Sequence, residues 1–354
     1  MYKDKPRGFV AMKILNNSLY LTTPDTYVHL EGGCAKIRLG KEEKNKKRIP
    51  LLNLSDIVCF GRITCSTQFL ADCAARGISV SFLNEYGNFQ FRTQGPINGN
   101  VLLRRAQYRA VDDAVKRLEI VRAMVSAKVA NSRLVINRFI RDHSGSEYLE
   151  NVKKGSRQLK RALSDLQLAR SVDSCRGYEG EAAKNYFAIF DHLITKKEFS
   201  FKQRTRRPPL DEVNALLSFV YTLLTKDAVG ALETVGLDPA VGFLHCERPG
   251  RPCLALDLIE EFRAPVADRL VLKLINKVFI KKKGFKEMEN SAFKMNDETR
   301  KIVLVEYQSR KREDILHPFL KEKMPIGLLL HYQARLLARH LRGDLDAYPA
   351  LFWK

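Results

Sequence analysis

The sequence predicts an α+β protein, with a β-rich N-terminal domain (1–95) followed by an all-α C-terminal domain (96–354) that carries the chemistry. Three observations predict it. Short runs of strand-forming residues fill the chain up to about residue 94. Helical periodicity dominates almost everywhere beyond that point. Between the two regimes falls "QGPINGN" (94–100), the densest turn punctuation in the chain. A length of 354 residues also exceeds what one ordinary core holds, so two domains is the natural division.

In the first region "SLYLTT" (18–23), "YVHLEG" (27–32), "IVCFGRITCS" (57–66), "ISVSFL" (78–83) and "NFQFRT" (88–93) read as strands. One helix interrupts them. "STQFLADCAARG" (66–77) opens on Ser/Thr, spaces Phe69, Leu70, Cys73 and Ala74 helically, and closes on Gly77. "NEYGN" (84–88) joins the last two strands as a hairpin. In the second region helices are expected at 102–142, 147–171, 177–194, 210–226, 255–280 and 313–342. The exception is 291–311, where Asn296-Asp297 between strand-prone runs suggests a small hairpin.

Charge narrows the partners. Lys and Arg number 61 against 40 Asp and Glu, and the resulting +21 implies a polyanion or an acidic membrane face. No run approaches the roughly 18 to 20 apolar residues of a spanning helix, and "MYKDKPRGFV" has no signal-peptide apolar region. Nucleic acid is favoured, with no membrane. Seven cysteines without a CxxC pair argue against a disulfide framework and a zinc ribbon, which fits a reducing cytoplasm. Basic runs recur at 44–48, 151–161, 202–209, 281–286 and 309–312; each alone reads as a solvated face, but together they suit a DNA or RNA backbone. Such contacts position a protein without reading sequence. Within them Arg204, Arg206 and Arg207 precede a helix and are candidates to hold DNA phosphates, a solvated loop being the alternative.

Acidic residues stand where apolar ones belong. In "RGYEGEAAKNYFAIF" (176–190), Ala183, Tyr186, Phe187 and Phe190 mark a buried stripe, and Glu179 lies on it. A buried unpaired carboxylate costs several kcal/mol, on the order of 2–7 for an unpaired polar group and more for a charge, so something must hold it. The plain alternative is a first-turn position that complements the helix dipole, or an arginine partner. In "GFLHCERPGRPCLALDLIEEFR" (242–263), His245 is followed by Asp257, Glu260 and Glu261 on a helix whose packing stripe is Leu258, Phe262, Val266, Leu270, Leu274 and Val278. Spacings of three and four put the acids on one shared face, where they repel unless a cation lies between them. Pro265 is expected to bend that helix. One imidazole with two or three carboxylates suits Mn²⁺ or Mg²⁺, and on a basic chain it suggests metal-assisted phosphoryl chemistry.

"DIVCFGRITCS", "GISVSFLNEYG", "NGNVLLRRAQY", "GYEGEAAKNYF", "GFLH" and "LALDLIEEFR", in that order, resemble the CRISPR-associated integrase family, and "AYPALFWK" resembles the ending of one subtype branch. The resemblance runs from about residue 12 to the end. It implies a metal-dependent DNA endonuclease and integrase of CRISPR adaptation, with a dimerising β-sheet domain, a helical catalytic domain, and a complex with the small second protein of adaptation. The family's metal-binding glutamate matches Glu179, its histidine His245, and its acidic pair Asp257 and Glu260. The D-x-x-E spacing favours Glu260 over Glu261. Implied ligands of Mn²⁺ or Mg²⁺ are then Glu179, His245 and Glu260, with Asp257 behind them. The substrate would be double-stranded DNA, pre-spacer and CRISPR repeat, joined by attack of a 3′-hydroxyl on a repeat-border phosphodiester. The competing readings are a stand-alone structure-dependent DNA nuclease and a non-catalytic DNA-binding scaffold.

Overall fold

A computed structural model describes residues 18–39, 46–54, 56–84, 89–93, 95 and 101–354. The expected turn at 84–88 and the punctuation at 94–100 lie largely outside the described residues, as does the start of the basic run at 44–48.

In chain order the elements begin with β1 (Ser18–Leu21), β2 (Thr26–Glu31), β3 (Cys34–Arg38), β4 (Lys46–Pro50), β5 (Asp56–Phe60) and β6 (Ile63–Cys65). Then come α1 (Thr67–Ala75), β7 (Ser79–Leu83) and β8 (Phe89–Thr93). The five strand-prone runs and the Ser66-capped helix are all present. β3 and β4 were not expected, because the charged run "KIRLGKEEKNKKR" hides the alternation of Ala35 and Ile37, which are buried.

The strands form two four-stranded sheets, ordered β1-β5-β7-β8 and β4-β3-β2-β6. β5 pairs in parallel with both β1 and β7, and its side chains alternate between two cores. Ile57 and Cys59 join Val28, Phe69 and Val80 in the N-terminal core, whereas Val58 and Phe60 join the helical one. Phe60 lies 6.0 Å from Phe219 between ring centroids. The sheet therefore serves both cores.

The helical part continues with α2 (Val101–Asp112), α3 (Ala114–Asp142), α4 (Leu149–Leu166), α5 (Val172–Ala188), α6 (Glu212–Val235), α7 (Cys253–Ile259) and α8 (Arg269–Asn276). It ends with β9 (Phe285–Glu287), β10 (Phe293–Met295), α9 (Asp297–Arg312), β11 (Asp314–Leu316), β12 (Lys323–Pro325) and α10 (Ile326–Leu341). The overall class is the one expected, a strand-rich region before a helical one, except that two small hairpins, β9–β10 and β11–β12, sit within the helices.

Four expectations need correcting. The helix expected at 313–342 is helical only over α10, its first part being the β11–β12 hairpin. The run at 102–142 breaks where Asp113 caps α3, its carboxylate accepting from Val115 and Lys116 N–H. The hairpin centred on Asn296-Asp297 is instead a helix start: Asn296 caps α9, and Thr299, Val303, Leu304 and Tyr307 bury one helical face. Burial periodicity overrides the strand propensity of "IVLV". The helix expected at 255–280 is three pieces, since α7 stops at Ile259 and a π-helical turn over Arg263–Asp268, containing Pro265, precedes α8. Phe262, Val266, Leu270 and Leu274 are buried as expected, whereas Val278 lies beyond the end of α8, in a left-handed turn at φ 59°, and is exposed.

α6 is long and apolar enough by composition to cross a membrane, but 61% of its apolar window is buried inside the protein. It is the central helix of the larger core. Gly236 ends it at φ 91°, a left-handed conformation suited to glycine, and turns the chain toward the segment that carries His245.

Candidate active site

Asp257 organises the site. Its carboxylate is fully buried and accepts hydrogen bonds from the backbone N–H of Phe243 (2.6 Å), Leu244 (2.9 Å) and His245 (3.0 Å). The "GFLH" segment can wrap it this closely because residue 242 is glycine: a Cβ there would stand 2.7 Å from Asp257 Oδ2 and 2.8 Å from Cys253. Arginines clamp the outer side of the same turn. Arg117 of α3 donates to Phe243 O at 2.7 Å, and Arg176 of α5 donates to Leu244 O at 2.8 and 2.6 Å. Gln107 of α2 holds the approach, donating to Asp238 O and Val241 O.

The fourth hydrogen bond on Asp257 comes from His245 Nδ1, 2.6 Å from Oδ1. A proton held on Nδ1 leaves the Nε2 lone pair free for a cation or a proton. Nε2 faces Glu260, 3.9 Å from Oε1. Asp257 itself, with four hydrogen bonds accepted, touches the cluster only through the histidine.

Glu260 is the meeting point. Its carboxylate is 4% exposed, lies 3.0 Å from Arg263 Nη2 through Oε1, and 2.6 Å from Lys128 Nζ through Oε2. Burial drives its carboxyl upward, but Arg263, Lys128 and His245 together outweigh burial and hold it at about 2. Lys128 also pairs with Glu179. Glu179 sits two turns inside α5, so the first-turn explanation falls away. It continues the buried positions Cys175, Ala182 and Tyr186 at helical spacing, one step from the stripe expected, and its side chain stays 25% exposed.

The structure thus brings Glu179, His245, Asp257 and Glu260 together from three elements. The donor set, two carboxylates and one imidazole nitrogen, fits a hard divalent ion. Oε2 of Glu260 is sealed from solvent, answered among the described residues by the Lys128 ammonium. Among the described residues no three His, Cys, Asp or Glu side chains close into a ready cage, because that ammonium stands between the two glutamates.

Glu261 points elsewhere. It accepts from Tyr348 OH (2.6 Å), Leu351 N–H (2.6 Å) and Gln333 Nε2 (2.9 Å), and it is fully buried. Burial pushes its carboxyl up to about 7 against those hydrogen bonds. Asn131 of α3 completes the anchorage, donating to Glu261 O and Leu351 O and accepting from Trp353 N–H. This acid fastens "AYPALFWK" and does not face the cluster.

The three candidate arginines divide. Arg204 turns inward, donating to Asn214 Oδ1 at 2.7 Å and Ser218 Oγ at 3.1 Å and lying over the Tyr221 ring. Arg206 is exposed and lines a narrow cleft with Lys128, Tyr186, Tyr221, Arg263 and Asp268. Arg207 is exposed beside it. Sequence reasoning missed Lys128 and Arg263. The signals were present: one lysine inside the apolar run "MVSAKVA", and an arginine three residues beyond Glu260.

Comparison with known proteins gives the family of the chain. Residues 19–309 match the family described as CRISPR associated protein Cas1. The chain is 49% identical over 345 residues to "CRISPR-associated endonuclease Cas1 1" of Chlorobaculum tepidum, covering 97% of this chain and 100% of that protein. It is 44% identical over 345 residues, with the same coverage, to the protein of that name from Moorella thermoacetica. A solved CAS1 protein from Thermotoga maritima superposes with a TM-score of 0.79 at 26% identity, covering 92% of this chain and 97% of that one. Two more distant structures share the fold. One, "Casposase bound to integration product", has a TM-score of 0.83 at 22% identity and covers 95% of this chain and 94% of that one. The other, a "Cas6-RT-Cas1--Cas2 complex", has a TM-score of 0.81 at 20% identity and covers 98% of this chain and 37% of that one. The chain belongs to the CRISPR-associated Cas1 family.

Proposed function

We propose that this Cas1-family endonuclease joins the 3′-hydroxyl end of a new spacer DNA to a phosphodiester at the border of a CRISPR repeat. The observation that carries the reading is that Glu179 and Glu260 meet on one ammonium, that of Lys128, while His245 Nε2 faces the other oxygen of Glu260, beside a cleft lined by Lys128, Arg206 and Arg263. Glu179, His245 and Glu260 are the residues that would hold Mn²⁺ or Mg²⁺. Such an ion supplies Lewis-acid activation of the scissile phosphate and a lowered pKa for the attacking hydroxyl. Asp257 holds the His245 ring through Nδ1, which turns Nε2 toward Glu260. Arg263 and Arg206 offset phosphate charge beside the acids. One phosphodiester bond forms as another breaks, so no external energy source is needed; water in place of the hydroxyl gives hydrolysis.

DNA, the small second CRISPR protein and a second copy of this chain are the proposed partners, in the cytoplasm. The net charge of +21 and the likeness to the casposase and Cas1–Cas2 structures support the first two. Exposed Leu52 and Phe91 on the strand-rich region support the third.

The test is purified protein, with and without the small partner, given a duplex with free 3′ ends and a supercoiled repeat-bearing plasmid. Joined products that require Mn²⁺ or Mg²⁺ and disappear in folded Glu179→Ala and His245→Ala support the reading. Cleavage without joining favours a stand-alone nuclease, and undiminished activity in both variants favours a scaffold.

A further inference from the structure

Lys128 is the residue that the proposed chemistry does not use. It stands midway along α3, between buried Val125 and Val129, with its side chain 14% exposed. An ammonium so placed needs carboxylates to answer it, and it meets two at once, Glu179 and Glu260. Those carboxylates, facing each other with nothing between, would repel. The same lysine also lines the cleft with Arg206 and Arg263. Arg263 is not interchangeable with it: its guanidinium is held on Glu260 Oε1 and over the Tyr221 ring, 4.8 Å from the centroid.

We infer that Lys128 is an internal counter-cation that competes with a divalent metal ion for Glu179 and Glu260 and is drawn off them by a DNA phosphate entering the cleft. The inference rests on the metal reading proposed above. A divalent ion and an ammonium cannot share the space between two carboxylates without strong repulsion, so metal must displace the lysine. A phosphate at the Arg206–Arg263 rim offers the displaced ammonium a new anion. DNA then tightens metal binding and, by linkage, metal tightens DNA binding by the same factor. The protein without DNA is held together by its own lysine and takes up metal poorly.

Calorimetric titration of Mn²⁺ into the full chain, without and with a duplex whose 3′ ends are dideoxy, tests this. Wild type should bind Mn²⁺ about tenfold more tightly with the duplex present, and the duplex about tenfold more tightly with Mn²⁺. Lys128→Met should bind Mn²⁺ about tenfold more tightly than wild type without DNA, and lose most of the DNA effect. In EDTA it should melt several degrees lower, with Mn²⁺ restoring the Tm, whereas Lys128→Arg keeps the wild-type pattern. A lysine that merely packs would lower the Tm without tightening Mn²⁺ binding, and that result overturns the inference. So does a DNA effect that persists in Lys128→Met, or reciprocal factors absent from wild type, a comparison that needs no variant. Mn²⁺ binding absent from both wild type and Lys128→Met would overturn the metal reading itself, and this inference with it.

Discussion

Glu260 and Glu261 are consecutive in the chain and serve opposite sides of it: Glu260 meets Lys128, His245 and Arg263, while Glu261 accepts from Tyr348, Gln333 and the Leu351 amide. Removing each carboxylate should fail differently. Glu261→Ala strands three buried donors and should cost about 3 kcal/mol, read as a lower urea midpoint, with activity per folded molecule largely kept. Glu260→Gln keeps the shape and should abolish DNA joining and cleavage while far-ultraviolet circular dichroism stays unchanged. Loss of activity in folded Glu261→Ala equal to that in Glu260→Gln would refute the division.

Asp257 is predicted to act through His245. Asn at this position places an amide where four donors now converge, so at least one donor faces another. Asp257→Asn should lower activity by about 10- to 100-fold, and ¹⁵N shifts of the His245 ring should report loss of the Nδ1-protonated tautomer. An unchanged ring spectrum would remove Asp257 from this role.

How much of this was legible in the sequence follows from the same residues. Glu179, His245 and Asp257 stood out because each breaks an apolar pattern, and the structure places them together. The choice between Glu260 and Glu261 could not be made from periodicity alone, since both lie one turn from Asp257. The chain leaves helical geometry at Ile259, so a helical wheel no longer says which way residue 261 faces. Lys128 was passed over for another reason, although it interrupts an apolar run. A single lysine on a long helix ordinarily extends its charge to water, and only the positions of α5 and α7 show that this one does not. Strand-prone "IVLV" became helix because the core it meets has helical spacing, a tertiary fact absent from local propensity.

Stability should carry the mark of Asp268. It is 1% exposed and accepts from Tyr221 OH at 2.6 Å and Tyr186 OH at 3.0 Å. Burial pushes its carboxyl up to about 6 despite those hydrogen bonds and the nearby Arg263 and Arg204. The folded state therefore holds the proton more tightly than the unfolded chain, whose value is about 4. The resulting stabilisation is full below pH about 4, declines as pH rises toward about 6, and is gone above it. Between those limits wild type should lose on the order of 2–3 kcal/mol relative to Asp268→Asn, which does not titrate. Urea denaturation of both proteins at pH 4.5 and 6.5 checks this; parallel changes would contradict it.

The arginines of 202–209 should separate by what their guanidinium groups already hold. Arg204 donates to Asn214 and Ser218 and lies over Tyr221, so Arg204→Ala should destabilise the protein by about 2 kcal/mol while the folded fraction binds DNA with nearly unchanged affinity. Arg206 and Arg207 are exposed, and Arg206 stands at the rim of the cleft beside Lys128 and Arg263. Replacing either by Ala should leave the Tm within about a degree or two, since surface changes stay near ±0.5 kcal/mol. It should also weaken duplex binding uniformly across sequences and reduce the salt dependence of log K by about one for each phosphate no longer neutralised. Fluorescence anisotropy with a labelled duplex from 50 to 200 mM salt distinguishes the two classes. A salt slope that falls for Arg204→Ala but not for Arg206→Ala would reverse the assignment.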